Sequence, residues 1–378
     1  MTPWVPVLTG ETRRAAIPSS GDIRSRRVDP TVVHGFAFEH NETTRTDAQC
    51  VNGREMRLRG LALLATTLML VFTAGVTSAS ASSVEETPTT SISMRGWTPP
   101  RNFGGGSGAA PALASYGGRV YAAWKGAGAD QRLFFSSTGD GVNWTSQATF
   151  GGASSTGPAL AVFNRRLYAA WKGAGSDGRL FLSSTDDGRN WSHEVALPGA
   201  ASSVRPTITA AKGRLHVAWK GAGNDTRLHI ASTVDGSSWS APRTFGGGSS
   251  AAPSLVGDHG RLYAAWRGVG ADQRLFAART KNGVDWSEPS AVGGESSTSP
   301  GLAMVGNVVH AVWKGPGTDQ RLFHSSAVGG LHWAPPEQLG GHSSDSPAFT
   351  LASFGFFLAW KGVAGDDRLF YSWAPTSR

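Results

Sequence analysis

Between residues 158 and 197 apolar and polar positions alternate over short distances. Pro158–Phe163, Arg166–Trp171, Arg179–Ser184 and Trp191–Leu197 are rich in Ala, Leu, Val and aromatic residues, and clusters of Gly, Ser, Asp and Pro separate them. Short apolar runs bounded by turn formers predict four β-strands, A to D, joined by tight loops. In strand B neither face is polar: Leu167, Ala169 and Trp171 point one way, Tyr168 and Ala170 the other. A strand apolar on both sides must be covered on both sides, so each sheet is expected to be sandwiched between two others.

The pattern repeats. An Ala/Val-Trp-Lys/Arg-Gly element recurs at Trp124, Trp171, Trp219, Trp266, Trp313 and Trp360, spaced by 47, 48, 47, 47 and 47 residues. A second tryptophan follows the first five anchors by 20 residues, at Trp144, Trp191, Trp239, Trp286 and Trp333. The sixth repeat lacks this partner before the chain ends at Arg378, but residues 95–105 (RGWTPPRNFGG) match the stretch after each second tryptophan, as in WSAPRTFGG at 239–247. The first strand is therefore expected to complete the last unit, closing a ring with no open edge. Four strands per repeat and six repeats predict an all-β fold, a six-bladed β-propeller of four-stranded blades over residues 94–378.

Composition agrees with many short strands and tight turns: 50 glycines, 14 tryptophans and only 16% charged residues. Basic residues exceed acidic ones by 35 to 27, and residues 1–93 carry nine arginines against nine acids, so the whole excess of +8 belongs to residues 94–378. Such a surface suits anionic glycans or cell walls, and the balanced loops make nucleic acid a poor partner. Arg57 and Arg59 precede an apolar run, Leu61 to Val76, and Ala79-Ser80-Ala81 offers a cleavage site. This predicts a signal peptide at 56–81, a linker at 82–93, and a secreted, extracellular product with no membrane span once the signal is removed. It also predicts that Met56 is the initiator and that residues 1–55, with the single cysteine Cys50, are a doubtful extension.

Ser184, Asp186, Gly188 and Trp191 fit Ser-x-Asp-x-Gly-x-x-Trp, which resembles the Asp box (BNR-like repeat) of sialidases and other propellers, a structural hairpin between a blade's outer strands. The aspartate position holds Gly139, Val234, Lys281 and Val328 in other repeats, which argues against catalysis. The resemblance to sialidases implies a Tyr-Glu nucleophile pair, an acid/base Asp and three arginines, opened by Arg-Ile-Pro. No Arg-Ile-Pro occurs, Tyr121, Tyr168 and Tyr263 share their column with His216, His310 and Phe357, and no repeat breaks the pattern with a unique set of acids. The residues thus favour a non-enzyme with no catalytic residue over a divergent glycosidase.

The most constant polar element is the B–C loop, Lys/Arg-Gly-x-Gly-x-Asp-x-Arg. It supplies Lys125, Lys172, Lys220, Arg267, Lys314 and Lys361, and Arg132, Arg179, Arg227, Arg274, Arg321 and Arg368. Its acids are Asp130, Asp177, Asp225, Asp272, Asp319 and Asp366, and the D–A loops on the same face carry Ser107, Ser154, Ser202, Ser249, Ser296 and Ser343. Sugars present hydroxyls beside apolar C–H faces, so an arginine, an acid and a tryptophan at each blade interface predict a sugar pocket, and six weak pockets gain avidity on a polyvalent glycan. Trp124 followed by Arg132-Leu133-Phe134 is similar to the Trp…Arg-Val-Tyr pattern of six-bladed fucose-binding lectins of fungi and bacteria. Those lectins also use a glutamate, which recurs at no equivalent place here, so the resemblance implies an inter-blade sugar site built on the six arginines. A lectin-like monomeric ring binding glycans or glycoconjugates is the leading expectation, with a protein-interaction propeller as a further alternative. No metal-ligand spacing and no dinucleotide fingerprint is present, so neither metal nor cofactor is expected.

Overall fold

The computed structural model describes residues 96–258 and 260–375. The expected signal peptide, the linker, residues 1–55 and Cys50 lie outside the described residues. Among the described residues twenty-five strands follow one another. β1 (Arg101–Gly106) comes first; blade one is β2 (Ala112–Tyr116), β3 (Arg119–Lys125), β4 (Arg132–Thr138) and β5 (Ala148–Ala153). Blade two is β6 (Ala159–Phe163), β7 (Arg166–Lys172), β8 (Arg179–Thr185) and β9 (Val195–Ala201); blade three is β10 (Thr207–Ala211), β11 (Arg214–Lys220), β12 (Arg227–Thr233) and β13 (Arg243–Gly248). Blade four is β14 (Ser254–Gly257), β15 (Leu262–Arg267), β16 (Arg274–Thr280) and β17 (Ser290–Glu295). Blade five is β18 (Gly301–Val305), β19 (Val308–Lys314), β20 (Arg321–Val328), β21 (His332–Trp333) and β22 (Glu337–His342); β23 (Ala348–Ala352), β24 (Gly355–Lys361) and β25 (Arg368–Ala374) end the chain.

Each sheet is antiparallel; the first four blades run in sequence order outward from their first strand, and in blade five both the short β21 and β22 pair with β20. The sixth sheet runs β23, β24, β25 and then β1, with Arg101 opposite Tyr371 and Asn102 opposite Phe370. The innermost strands lie side by side around an axis, β2 against β6, β6 against β10, and so on to β23 against β2. They line a central channel of about 340 Å³.

The two-faced apolar strand explains this arrangement. Leu167, Ala169 and Trp171 pack with Phe135 and Phe150 of blade one, whereas Tyr168 and Ala170 pack with Leu215 and Trp219 of blade three. Five of the six anchor tryptophans lie under a glycine of the preceding blade's outer strand: a Cβ on Gly152 of β5 would lie 2.6 Å from Trp171 Cζ2, so at these seams glycine lets the two blades close, while Ala200 packs with Trp219. Losing one such indole to alanine costs about 3–5 kcal/mol.

Strand D differs from its prediction. It spans Val195–Ala201 rather than Trp191–Leu197, because the hairpin after β8 continues through Ser192, whose amide donates to Ser184 O at 2.9 Å. A register shift between Arg179 and Phe181 then carries the strand on, so that Ala201 faces Arg179.

Candidate inter-blade site

The B–C loop is a self-contained clamp. In blade one Asp130 folds over Gly126, where a Cβ would lie 2.7 Å from its Cβ, and its carboxylate accepts from Arg132 N (3.0 Å), Nε (3.0 Å) and Nη2 (2.8 Å). All six blades repeat the pair, with Nη2–O distances of 2.7 to 2.9 Å. Side-chain and backbone hydrogen bonds from the arginine hold Asp130, Asp177 and Asp366 at about 2, and the Arg321 side chain does the same for Asp319. Asp225 and Asp272 are lowered for the same reason. The six arginines are exposed but neutralised, so they present N–H geometry more than net positive charge.

Beside each arginine lies an aromatic ring. The guanidinium sits 5.2 to 5.4 Å from the centroid of Phe134, Phe181, Phe276, Phe323 or Phe370. In blade three the ring is His229, whose Nε2 lies 3.3 Å from Asp225. These rings are half-buried and lie nearly parallel to their anchor tryptophan, as Phe134 does to Trp124 at 6.3 Å and 20°. The exposed aromatic of each groove is therefore this ring, and the expectation that the anchor tryptophan meets the sugar is corrected. Trp124, Trp171, Trp219, Trp266, Trp313 and Trp360 are at most 2% exposed, because adjacent blades close over them.

The B–C lysines, candidates for the binding face in the sequence, are not surface cations. Lys125, Lys172, Lys220, Lys314 and Lys361 are buried. Lys172 Nζ donates to Ser155 Oγ (2.7 Å), Gly173 O (3.3 Å) and Gly175 O (3.0 Å), tying the B–C loop to the D–A loop. Lys220 and Lys314 repeat the set, Lys125 keeps the two carbonyl bonds, and Lys361 bonds Asp366 O and pairs with Asp367 at 3.1 Å. Arg267, half-buried, donates to Gly270 O at 2.6 Å. Burial lowers the pKa of Lys172, Lys220 and Lys314. The serines fare likewise: Ser107 and its five counterparts are buried, and Ser107 Oγ closes a turn by donating to Ala109 O at 2.7 Å.

The hairpin register shifts by one residue from its expected place. Asp187, not Asp186, ties the turn: its carboxylate accepts from Arg189 N (2.8 Å), Asn190 N (2.8 Å) and Thr185 Oγ1 (2.8 Å). The Asp186 side chain is exposed and makes only a 3.9 Å pair with Arg166. Along the true column stand Asp140, Asp187, Asp235 and Asn282, with the same bonds in each, and Gly329 in blade five. The residue is structural because it is consumed by backbone amides, not because the column drifts. Ser184 is half-buried in β8, Gly188 adopts φ 71° against the Tyr121 hydroxyl, and Trp191 packs on Phe150 at 4.9 Å.

Two features went unread in the sequence. Glu194 of blade two stands beside the groove: a Cβ on Gly152 would lie 2.7 Å from its Oε2, and its charge helps to raise the Arg179 pKa, behind the larger effect of Asp177. In blade four Glu295 faces Arg274 across the β16–β17 ladder. The six grooves are thus unequal, and those of blades two and four carry an extra acid. The repeat is also broken at the axis, where the residue before the D–A proline is Ala110, Gly157, Ala252, Ser299 or Ser346 in five blades and Arg205 in blade three. Asp345 is the matching lone acid, one residue earlier in the blade-six loop. Aligning Ser-Ser/Gly-x-x-Pro down the repeats would have exposed both. Among the described residues no cluster of three metal-ligating side chains occurs, and no helix is long and apolar enough to cross a membrane.

This geometry defines a six-bladed β-propeller whose neighbours in known structures are sialidases and fucose-binding propeller lectins. No family model and no curated protein matches the sequence. Among solved structures, Trypanosoma rangeli sialidase superposes with a TM-score of 0.52 at 14% identity, over 71% of this chain and 55% of its own, so the chain spans about half that enzyme's length. The Aleuria aurantia lectin, solved with Fucα1-6GlcNAc, gives 0.52 at 12% identity over 74% of this chain and 99% of its own. AofleA from Arthrobotrys oligospora gives 0.53 at 11% over 73% and 85%. At these identities the likeness is one of fold.

Proposed function

We propose that the protein is a secreted, non-enzymatic, multivalent carbohydrate-binding propeller that uses the grooves between blades as sugar sites. The observation that carries this reading is the sixfold recurrence, at every blade interface, of an exposed arginine pinned by an aspartate beside a half-exposed ring. The pinned guanidinium keeps Nη1 directed and free of ordering cost, which suits a sugar diol, and the ring offers an apolar edge to C–H groups. Blade two, with Arg179, Phe181 and Glu194, has both donor and acceptor and is the strongest groove. The glycosidase reading has less support: among the described residues lining the channel and its mouth the charged ones are Arg205 and Asp345, which offer no pair of carboxylates.

The test is a glycan array run beside a fluorogenic glycosidase panel on the same purified protein. Selective binding without turnover supports the lectin reading, and turnover sinks it. Arg179→Gln should weaken binding in part and lower the measured stoichiometry by one; total loss from that single change would overturn the six-groove model.

A further inference from the structure

The D–A loops of the six blades meet around the axis, and their small residues leave a mouth of about 270 Å³ above the channel. Arg205 lines both the mouth and the channel below it, so its side chain projects inward where every other blade has alanine, glycine or serine. Its side chain is half-buried, and the surface it keeps faces the channel and its mouth. Its Nη1 donates to Pro111 O of blade one at 3.3 Å, and among the described residues no other group accepts from it. Asp345 does not take that role: its Oδ2 accepts from Ala110 N at 2.8 Å and its Oδ1 from Ser346 N at 2.6 Å, and no ion pair joins it to Arg205. Burial lowers the Arg205 pKa while Asp345 opposes the shift, yet a guanidinium stays charged in water at neutral pH.

A half-buried guanidinium with most of its donors free, at a mouth lined mainly by small residues, offers an anion a partly desolvated partner. We propose that Arg205 makes the channel mouth an axial binding site for a small carboxylate, separate from the six grooves at the rim. A carboxylate matches the planar fork of the guanidinium with two parallel hydrogen bonds. The nearby Asp345 charge selects against a dianion, since a second negative charge meets its field without a second cation to offset it.

The experiment titrates sodium acetate into the full chain labelled with ¹⁵N-arginine. The Arg205 Nε–Hε signal is assigned by its absence from Arg205→Lys, and independently from Arg205→Gln. That signal should shift saturably in the millimolar range while the six aspartate-paired arginines stay in place. Sulfate at equal ionic strength should bind more weakly, and Asp345→Asn should tighten acetate binding several-fold. A linear shift shared with the exposed arginines would reveal salt screening alone and overturn the proposal. Sulfate binding as tight as acetate, or no effect of Asp345→Asn, would overturn the selection for a monoanion. None of these readouts depends on glycan binding at the rim.

Discussion

His216 occupies the column that blades one, two and four fill with Tyr121, Tyr168 and Tyr263, and it is 4% exposed. Burial lowers its pKa from 6.5 to about 4; a backbone hydrogen bond with Ala211 opposes this and the Arg214 charge adds to it. A histidine depressed in the folded state is protonated first in the unfolded chain, so stability is lost as pH falls from about 6.5 to about 4 and no further below that. The loss from this one group is about 2 kcal/mol at pH 5 and about 3 kcal/mol near pH 4. His216→Tyr removes the titration without opening a hole. In its neighbour the Tyr168 hydroxyl reaches Gly236 of the next blade, and the equivalent Gly283 already lies 3.5 Å, measured from a built Cβ, from His216 Cε1. Urea unfolding followed by tryptophan fluorescence at pH 7 and pH 5 measures the difference. Wild type should lose about 2 kcal/mol more than the variant between the two values, or about 0.7 M in midpoint for an m-value of about 3 kcal/mol/M. Equal losses would refute the assignment of this acid sensitivity to His216.

Lys172→Met should lower stability by about 2–3 kcal/mol, since it removes a buried ammonium with three hydrogen bonds, and should leave the other five grooves able to bind. Chemical denaturation and stoichiometry on the same variant check this, and lost binding at unchanged stability would return the lysines to the binding surface. Asp187→Ala should lower the melting temperature by freeing the Arg189 and Asn190 amides, whereas Asp186→Ala should leave it unchanged. Differential scanning calorimetry decides between the two registers.

Blade number, strand order and the two-faced burial of strand B were legible because they follow from period and alternation, which the sequence carries directly. The chemistry of the repeated polar residues was not. A tryptophan that recurs six times looks the same in sequence whether it meets a sugar or the next blade, and only the outer strand of the preceding blade lying over it decides. Lys172 is similarly ambiguous: a cation in a Gly-rich loop reads as surface, yet with few side chains in the way the loop backbone turns its carbonyls inward to take the ammonium. The one-residue error in the hairpin arose because Asp186 and Asp187 are adjacent, and only hydrogen bonding distinguishes the residue that ties the turn from the one that faces solvent.

A closed ring places the same packing demand on every blade, so columns that are constant in all six report first on closure. The anchor tryptophans and the buried serines fall in this class, and the lysine clamps nearly do, five lysines with Arg267 in blade four. Specific chemistry belongs where one blade departs and the departure has no packing reason. Arg205 and Asp345 depart at the axis, Glu194 at one groove, and His229 replaces phenylalanine at another. In blade five His310 Nδ1 lies 3.1 Å from His324 Nε2, and His324 Nδ1 lies 2.8 Å from Glu337. If both rings are neutral, Glu337 fixes both tautomers: His324 donates to the carboxylate through Nδ1, its Nε2 accepts from His310 Nδ1–H, and His310 Nε2 is left as a buried acceptor, less costly than a buried N–H. Blade five therefore carries a polar chain through a position that its sister blades fill with apolar or aromatic pairs, and the sixfold scaffold holds differences that its repeat length conceals.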